Sequence, residues 1–240
     1  MSTSSDPKAP TAPSAPNAAA EAALEFVRDG MRLGLGTGRA AAAFVDALGR
    51  RVAAGLRVTG VPTSDATAAQ ATRLGIPLAR LDEVPRLDIT FDGADEVDPN
   101  LDLIKGYGRA LVREKIVAAA SRLEIILVGA EKLVPQLGSR GLVPVEVLPF
   151  AAPYCAREFA RIGCRPQRRN SADGSPIVSD NGNWIIDCGV DPIDDARALD
   201  EALRAVPGVV GTGLFIGIAG RVLVAEADGR ISELVRGEAG

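Results

Sequence analysis

FDGADEVDPNLDLIKGYGRALVREK, Phe91 to Lys115, gathers several carboxylates, a lysine-glycine turn and a helical run into one short segment. Just before it, LDIT (Leu87 to Thr90) is an apolar strand. Asp92-Gly93-Ala94-Asp95 then sets two acids past the strand's end, where open α/β sheets form their binding crevices. Lys105-Gly106-Tyr107-Gly108 is a second turn. The run from Arg109 to Ala120 is rich in helix formers, with Leu111, Ile116 and Ala119 expected on its buried face and Arg113, Glu114 and Lys115 on its polar side. Two acids, one lysine and a helix-borne glutamate are thereby expected to converge.

Outward from this segment, helical and extended patterns alternate. Helices are expected over residues 18–27, 40–54 and 64–74, and strands over 31–35, 56–61, 87–91 and 124–128. That βα alternation calls for an α/β fold, a Rossmann-like, mainly parallel sheet with helices on both faces. After Val134 the pattern changes to short extended pieces (145–148, 176–179, 184–188, 208–215) around helices at 152–161 and 194–205, which reads as a smaller α+β unit. A further strand is expected over 222–226. Residues 1–17 are mostly Ser, Thr, Pro and Ala, without the apolar run of a signal peptide, and read as a disordered tail.

The chain has 240 residues, 47% of them apolar and 24% charged, enough to bury a substantial core. A net charge of −4 without a basic run argues against a nucleic-acid partner, and no apolar stretch is long enough to call for a membrane. Three cysteines, Cys155, Cys164 and Cys188, are too few and odd in number for a disulfide framework and suit a reducing, cytoplasmic setting as buried thiols. Histidine is absent altogether. No Ser-His-Asp or Cys-His pairing is therefore possible, and acid/base chemistry falls to carboxylates and lysine. Glu96, Asp98 and Asp102 lack EF-hand spacing, so no metal site is assigned.

Gly34-Leu35-Gly36-Thr37-Gly38 joins a strand to a helix, so its backbone N–H groups and the helix N-terminus form an anion site. A small phosphorylated ligand is favoured over a dinucleotide, because Arg39 and Ala41 stand where the third glycine of a dinucleotide fingerprint would fall. Asp180-Asn181-Gly182-Asn183 reads as a tight hairpin turn. Glu146, an acid inside an apolar strand, marks either a boundary contact or a buried pair with an arginine from Arg165 to Arg169.

These motifs carry a resemblance. Gly34-Leu35-Gly36-Thr37-Gly38, Ser64-Asp65-Ala66-Thr67, Asp92-Gly93-Ala94-Asp95, Lys105-Gly106, Arg113-Glu114-Lys115, Pro144-Val145-Glu146-Val147, Asp180-Asn181-Gly182-Asn183 and Gly213-Leu214-Phe215 follow the order of the blocks of the type A ribose-5-phosphate isomerase family. The chain resembles that family from about Ala18 to near its C-terminus. The resemblance implies that the strand at 222–226 returns to the first sheet. Residues 18–137 and 221–240 would then form the catalytic domain, and 138–220 a small α+β domain inserted near the end.

It also implies an aldose-ketose isomerase that interconverts ribose 5-phosphate and ribulose 5-phosphate through an enediolate, as the pentose phosphate route requires, with no cofactor and commonly as a homodimer or homotetramer. Glu114 would be the base and Lys105 the cation at the enediolate oxygen, while Asp92 and Asp95 hold sugar hydroxyls and one of them assists ring opening. Gly36, Thr37, Gly38, Arg39 and Ala40 would take the phosphate. Gly93, Ala94, Gly106, Tyr107, Gly108 and Lys132 would complete the substrate contacts. Two positions depart from the family pattern. Arg39-Ala40 stands where Ser-Thr is usual, so Arg39 either binds phosphate or points into solvent. Tyr107 stands where glycine is usual; it lies over the sugar or faces outward, the second being favoured. A sugar-phosphate sensor would need only the phosphate turn, and retention of Glu114 and Lys105 speaks against it. Other enzymes of the same broad fold, such as amino-sugar phosphate deaminases or coenzyme A transferases, are disfavoured by the ordered blocks.

Overall fold

The computed structural model describes residues 15–237, so residues 1–14 of the expected tail lie outside the described residues. Helix α1 (Ala15–Ala23) begins earlier than its apolar pattern suggested and ends in a 3-10 turn, Leu24–Phe26. There follow β1 (Arg32–Leu35), α2 (Arg39–Ala53), β2 (Thr59–Pro62), α3 (Asp65–Arg73), β3 (Leu87–Asp92), β4 (Glu96–Val97), β5 (Leu103–Ile104), α4 (Leu111–Ala119) and β6 (Ser121–Gly129). The remainder comprises β7 (Leu142–Val147), α5 (Ala152–Ile162), β8 (Arg165–Arg168), β9 (Trp184–Gly189), α6 (Ala196–Arg204), β10 (Val209–Thr212), β11 (Leu214–Phe215), β12 (Arg221–Ala225) and β13 (Ile231–Val235).

The largest sheet has the order β13-β12-β6-β3-β1-β2 and is parallel except for β13. Alternation along its strands sends Leu33, Leu35, Phe91, Ile125 and Leu127 toward α1 and α2, where the Phe44 and Phe91 rings stack 4.2 Å apart. On the opposite face Ile126, Val128, Val222 and Val224 pack with Leu111 of α4, and Val117 of α4 packs on Val61 and Leu87. Both faces are thus covered, as a parallel sheet requires. The chain leaves β1 toward β2 and returns to β3 on the other side of β1. The strand order therefore reverses between β1 and β3, where such sheets open a crevice at their carboxyl ends.

A second sheet, β10-β7-β9-β8, is antiparallel and buries Val145, Val147 and Ile186 against α5 and α6 through Phe159 and Leu203. A third, of the short strands β11-β5-β4, lies in chain order between elements of the other two. The extended stretch expected over 208–215 is broken at Gly213, so that β10 joins one sheet and β11 another. The Gly213 N–H donates to Pro144 O at 2.7 Å and its carbonyl accepts from Lys105 N at 2.9 Å. A Cβ here would come within 2.2 Å of the Lys105 carbonyl, so only glycine allows the crossing.

Several expectations need correction. Residues 176–179 form no strand and make only isolated bridges, Asn170 with Pro176 and Val178 with Trp184; Pro176 has no N–H to give a ladder. β8 and β13, both at sheet edges, were not anticipated. On α4 the buried residues are Leu111, Glu114, Val117 and Ala118, while Ile116 is 49% exposed and Ala119 is exposed. The helix is rotated from the apolar reading because Glu114 and Lys115 find polar partners inside.

Candidate active site

The crevice between β1 and β3 opens into a cavity of about 350 Å³. Its floor is formed by the carboxyl ends of β1 and β3, whose following loops lock together. Gly36 N–H donates to Phe91 O at 2.9 Å, and Asp92 Oδ1 accepts from Thr37 N at 3.1 Å and from Gly93 N at 2.7 Å. A side chain at Gly36 would meet the Asp92 carboxyl at 2.3 Å, so glycine is what allows the two loops to close. The Thr37 hydroxyl is turned inward, 2.8 Å from both Thr63 Oγ1 and Ser64 Oγ. Ser64 also caps α3 by accepting from Thr67 N, and Thr67 Oγ1 donates to Gly36 O at 2.9 Å. The Ser64–Thr67 turn therefore props the glycine loop from behind. What the loop offers the cavity is the N-terminus of α2, with Gly38, Arg39 and Ala40 at its wall.

Lys105 enters from the opposite side and is almost wholly buried. Its Nζ lies 3.0 Å from Asp92 Oδ2 and 3.5 Å from Glu114 Oε2, and it donates to Gly93 O. Two ammonium groups lie over the Phe215 ring, Lys105 Nζ at 5.5 Å and Lys115 Nζ at 4.7 Å from its centroid. Burial works against the charge on Lys105, but the Asp92 and Glu114 carboxylates outweigh it and hold its pKa above the ordinary lysine value. Glu114, in the first turn of α4, is pushed up to about 8 by burial and by Asp92, against the pull of Lys105. Its Oε2, buried on the Lys105 side, accepts no hydrogen bond, so the carboxyl of this cavity-lining residue is desolvated and only partly compensated.

Thr37, Gly38, Arg39, Ala40, Gly93, Ala94, Asp95, Lys105, Gly106, Tyr107, Gly108, Glu114 and Lys132 all line this one cavity. Gly36 and Asp92 do not; they lie beneath it, and Asp92 has no exposed surface. The two acids of the Asp92–Asp95 turn are thereby distinguished, one behind Lys105 and one in the wall. Asp95 Oδ2 accepts from Tyr107 N at 3.0 Å. Tyr107, favoured from sequence as facing outward, lines the cavity while 40% exposed, and burial followed by nearby carboxylates raises its hydroxyl to about 12. Arg109, beside it, holds a left-handed backbone with φ of 69°, a strained conformation for a residue with a side chain.

Other contributors were not singled out from sequence. Glu131 and the β6 end, Leu127 to Gly129, complete the wall. Arg169, from the loop after β8, donates to Gly106 O and Tyr107 O while its guanidinium pairs with Asp187, which braces the lysine turn. Glu146 pairs with no arginine; it accepts instead from Ser179, Asn181 and Asn183. Glu124, also buried, has neither oxygen hydrogen-bonded, and burial, then Asp92, raise its pKa well above the ordinary glutamate value. It was read only as part of an apolar strand. Among the described residues, no group of three or more His, Cys, Asp or Glu is arranged to hold a metal ion, and no helix is long and apolar enough to cross a membrane.

An open α/β sheet whose switch-point crevice holds a helix N-terminus on one wall and a buried lysine between two carboxylates on the other defines a class: small-ligand proteins equipped for anion binding and proton transfer. Known proteins narrow the class. The family model described as ribose 5-phosphate isomerase A (phosphoriboisomerase A) matches residues 59–229. The ribose-5-phosphate isomerase A of Bradyrhizobium diazoefficiens is 52% identical over 221 residues, covering 88% of this chain and 91% of the relative, and that of Roseiflexus is 49% identical over 213 residues, covering 88% and 91%. A D-ribose-5-phosphate isomerase solved in complex with phospho-erythronic acid superposes with a TM-score of 0.88 at 39% identity, covering 92% of this chain and 97% of that one. The enzyme from Methanocaldococcus jannaschii gives 0.87 at 40% identity with the same coverage. The chain belongs to the ribose 5-phosphate isomerase A family.

Proposed function

We propose that the chain interconverts D-ribose 5-phosphate and D-ribulose 5-phosphate by proton transfer through an enediolate, with Glu114 as base. One observation carries this reading beyond family membership: a desolvated carboxylate with an unbonded oxygen stands 3.5 Å from a buried ammonium, at the wall of a cavity whose other wall is a helix N-terminus. Proton abstraction next to a carbonyl needs such a base, with a pKa close to the working pH, and a fixed cation where charge develops on oxygen. Both are present.

The phosphate sits at the α2 N-terminus, on the backbone of Gly38 to Ala40, with Arg39 and Lys132 supplying positive charge from the cavity wall. That seat places the far end of an opened sugar near Lys105 and Glu114. Glu114 takes the C2 proton and returns it to C1, the O2 hydroxyl proton passes to O1 between the two transfers, and the Lys105 ammonium stabilises the enediolate oxygen. Asp95, in the wall, holds a sugar hydroxyl and takes part in ring opening. Asp92, beneath the wall, fixes Lys105 rather than touching sugar. No metal or organic cofactor is assigned a step, because Lys105 fills the electrophile's role.

Residues 18–137 and 221–240 are taken as the catalytic domain and 138–220 as the small one, a division supported by the return of β12 to β6. The chain acts in the cytoplasm as a homodimer or homotetramer. Leu148, Phe150, Tyr154 and Val210 leave an exposed apolar surface around the ends of β7 and β10, with Phe150 99% exposed, which supports self-association.

The test is the rate of ribulose 5-phosphate formation from ribose 5-phosphate by the purified chain, with a chelator present and no added cofactor. Turnover is expected. Binding of ribose 5-phosphate without turnover would replace the isomerase by a sugar-phosphate sensor.

A further inference from the structure

Arg113, Glu114 and Lys115 follow one another on α4, and each is held by a different part of the molecule. Glu114 faces Lys105. Lys115 Nζ reaches across to donate to Thr212 O at 2.8 Å and Leu214 O at 2.7 Å. Arg113 turns to the turn after the 176–179 stretch: Nε donates to Asn181 Oδ1 at 2.8 Å and Nη2 to Asp180 O at 2.7 Å. Its Nη1 donates to Asp65 Oδ1 at 2.8 Å, and Asp180 Oδ2 accepts from Asp65 N, also at 2.8 Å. The start of α3, the start of α4 and the Ser179–Asn183 turn are thereby tied into one ring of contacts.

Behind this ring stands a carboxylate that a simple hairpin would not need. Glu146 lies within β7, has no exposed surface, and accepts at Oε1 from Ser179 Oγ at 2.9 Å, Asn181 Nδ2 at 3.0 Å and Asn183 Nδ2 at 2.9 Å. Burying an acid in an apolar strand costs free energy, and an Asn-Gly turn closes without help. Asn181 is the coupling point, because its amide nitrogen is held by Glu146 while its oxygen holds Arg113. A continuous path runs from the core of the antiparallel sheet to the residue next to the base.

The geometry makes this path matter. α4 has only nine residues and carries Glu114 in its first turn, so its orientation is set by contacts and not by its own stiffness. Rotation by about 10° moves a carboxylate at the helix rim by about 1 Å. A misplacement of that size costs on the order of 10²-fold in rate.

We infer that Arg113 is a positioning residue: clamped by Asp65, Asp180 and Asn181, and through Asn181 by the buried Glu146, it sets the rotation of α4 and so aims Glu114 at the substrate carbon. This rests on Glu114 being the base. Turnover by the unaltered chain and its loss in Glu114→Gln test that assignment separately, so failure there is distinguishable from failure of the clamp.

The experiment is steady-state kinetics of Arg113→Ala, Arg113→Lys, Asn181→Ala and the Arg113→Ala/Asn181→Ala double variant, with folded fraction measured by circular dichroism. Arg113→Ala is expected to lower kcat about 10- to 100-fold with KM for ribose 5-phosphate within about twofold. Arg113→Lys, which keeps charge but loses the fork, recovers part of that loss. Asn181→Ala lowers kcat in the same way, and the double variant falls no further than Arg113→Ala alone, as members of one path do. Should Arg113→Ala fail to fold, Asn181→Ala carries the decision. An unchanged kcat in the folded variants, a rise in KM with kcat intact, or a fall in kcat matched by an equal fall in folded fraction would overturn the clamp.

Discussion

Lys105 Nζ lies 3.5 Å from Glu114 Oε2 with both side chains buried, yet Glu114 is raised to about 8, because burial and Asp92 outweigh the attraction of the lysine. Lys105 is nearer to Asp92, at 3.0 Å, and Asp92 has two backbone N–H donors besides. One cation thus serves two carboxylates unequally. Asp92 takes the larger share, and Glu114 keeps its affinity for a proton.

Replacement of Glu114 by Gln removes the proton acceptor while preserving shape. kcat is expected to fall by about 10²-fold or more, with ribose 5-phosphate binding little changed. Turnover near the original level would dismiss Glu114 as base.

The same carboxylate ties activity to pH. A base must be ionised to act, so kcat/KM rises with pH and levels off above about 8. Stability runs the other way. The folded pKa of Glu114 lies above its unfolded value of 4.5, so its contribution is most favourable below 4.5 and is lost as pH rises toward 8. Glu114→Gln escapes that loss, so its Tm should exceed the parent's at pH 8 and converge with it near pH 5. Equal melting curves at both values would mean that Glu114 is not strained by burial.

How much of this was legible beforehand depended on whether a residue's surroundings were local. The glycine loop, the Asp92–Asp95 turn and the lysine turn announce themselves through backbone chemistry within a few residues, and the parallel strands through continuous apolar runs. The face of α4 was misread because Ile116 has the composition of a core residue, whereas the burial of Lys115 depends on carbonyls at Thr212 and Leu214, about a hundred positions away. Asp180–Asn183 reads as a turn from its own residues. Its hold on Arg113 and its support by Glu146 appear only when three distant segments meet. β8 (Arg165–Arg168) and β13 (Ile231–Val235) escaped notice because edge strands need only one partner and carry weak alternation.

Arg39 tests the phosphate seat. It is exposed at the cavity wall, where the family pattern has a hydroxyl residue, and a charge-assisted contact to phosphate is worth about 1.5–3 kcal/mol. Arg39→Ala should raise KM for ribose 5-phosphate about tenfold with kcat preserved. An unaltered KM would return Arg39 to solvent and leave the backbone amides and Lys132 as the phosphate contacts.

Glu124 separates stability from catalysis. It occupies β6 with both carboxylate oxygens buried and unbonded, and burial, with Asp92 next in effect, raises its pKa well above the ordinary glutamate value. Its folded pKa above 4.5 means that stability is lost as pH rises from that value, the same sign as for Glu114. Glu124→Leu keeps similar volume and removes the desolvated acid, and well-packed apolar residues in place of buried ionic groups are often neutral or stabilising, by up to about 4 kcal/mol. Urea unfolding at pH 8 should therefore show a higher midpoint for Glu124→Leu than for the parent, with the gap narrowing at pH 5. Glu124 is not in the cavity wall, so isomerase turnover should stay within a few-fold. A lower midpoint at both pH values would show that Glu124 supports the sheet beneath Lys105, and a loss of turnover without a loss of stability would move it into the charge balance that sets the Lys105 and Glu114 protonation states.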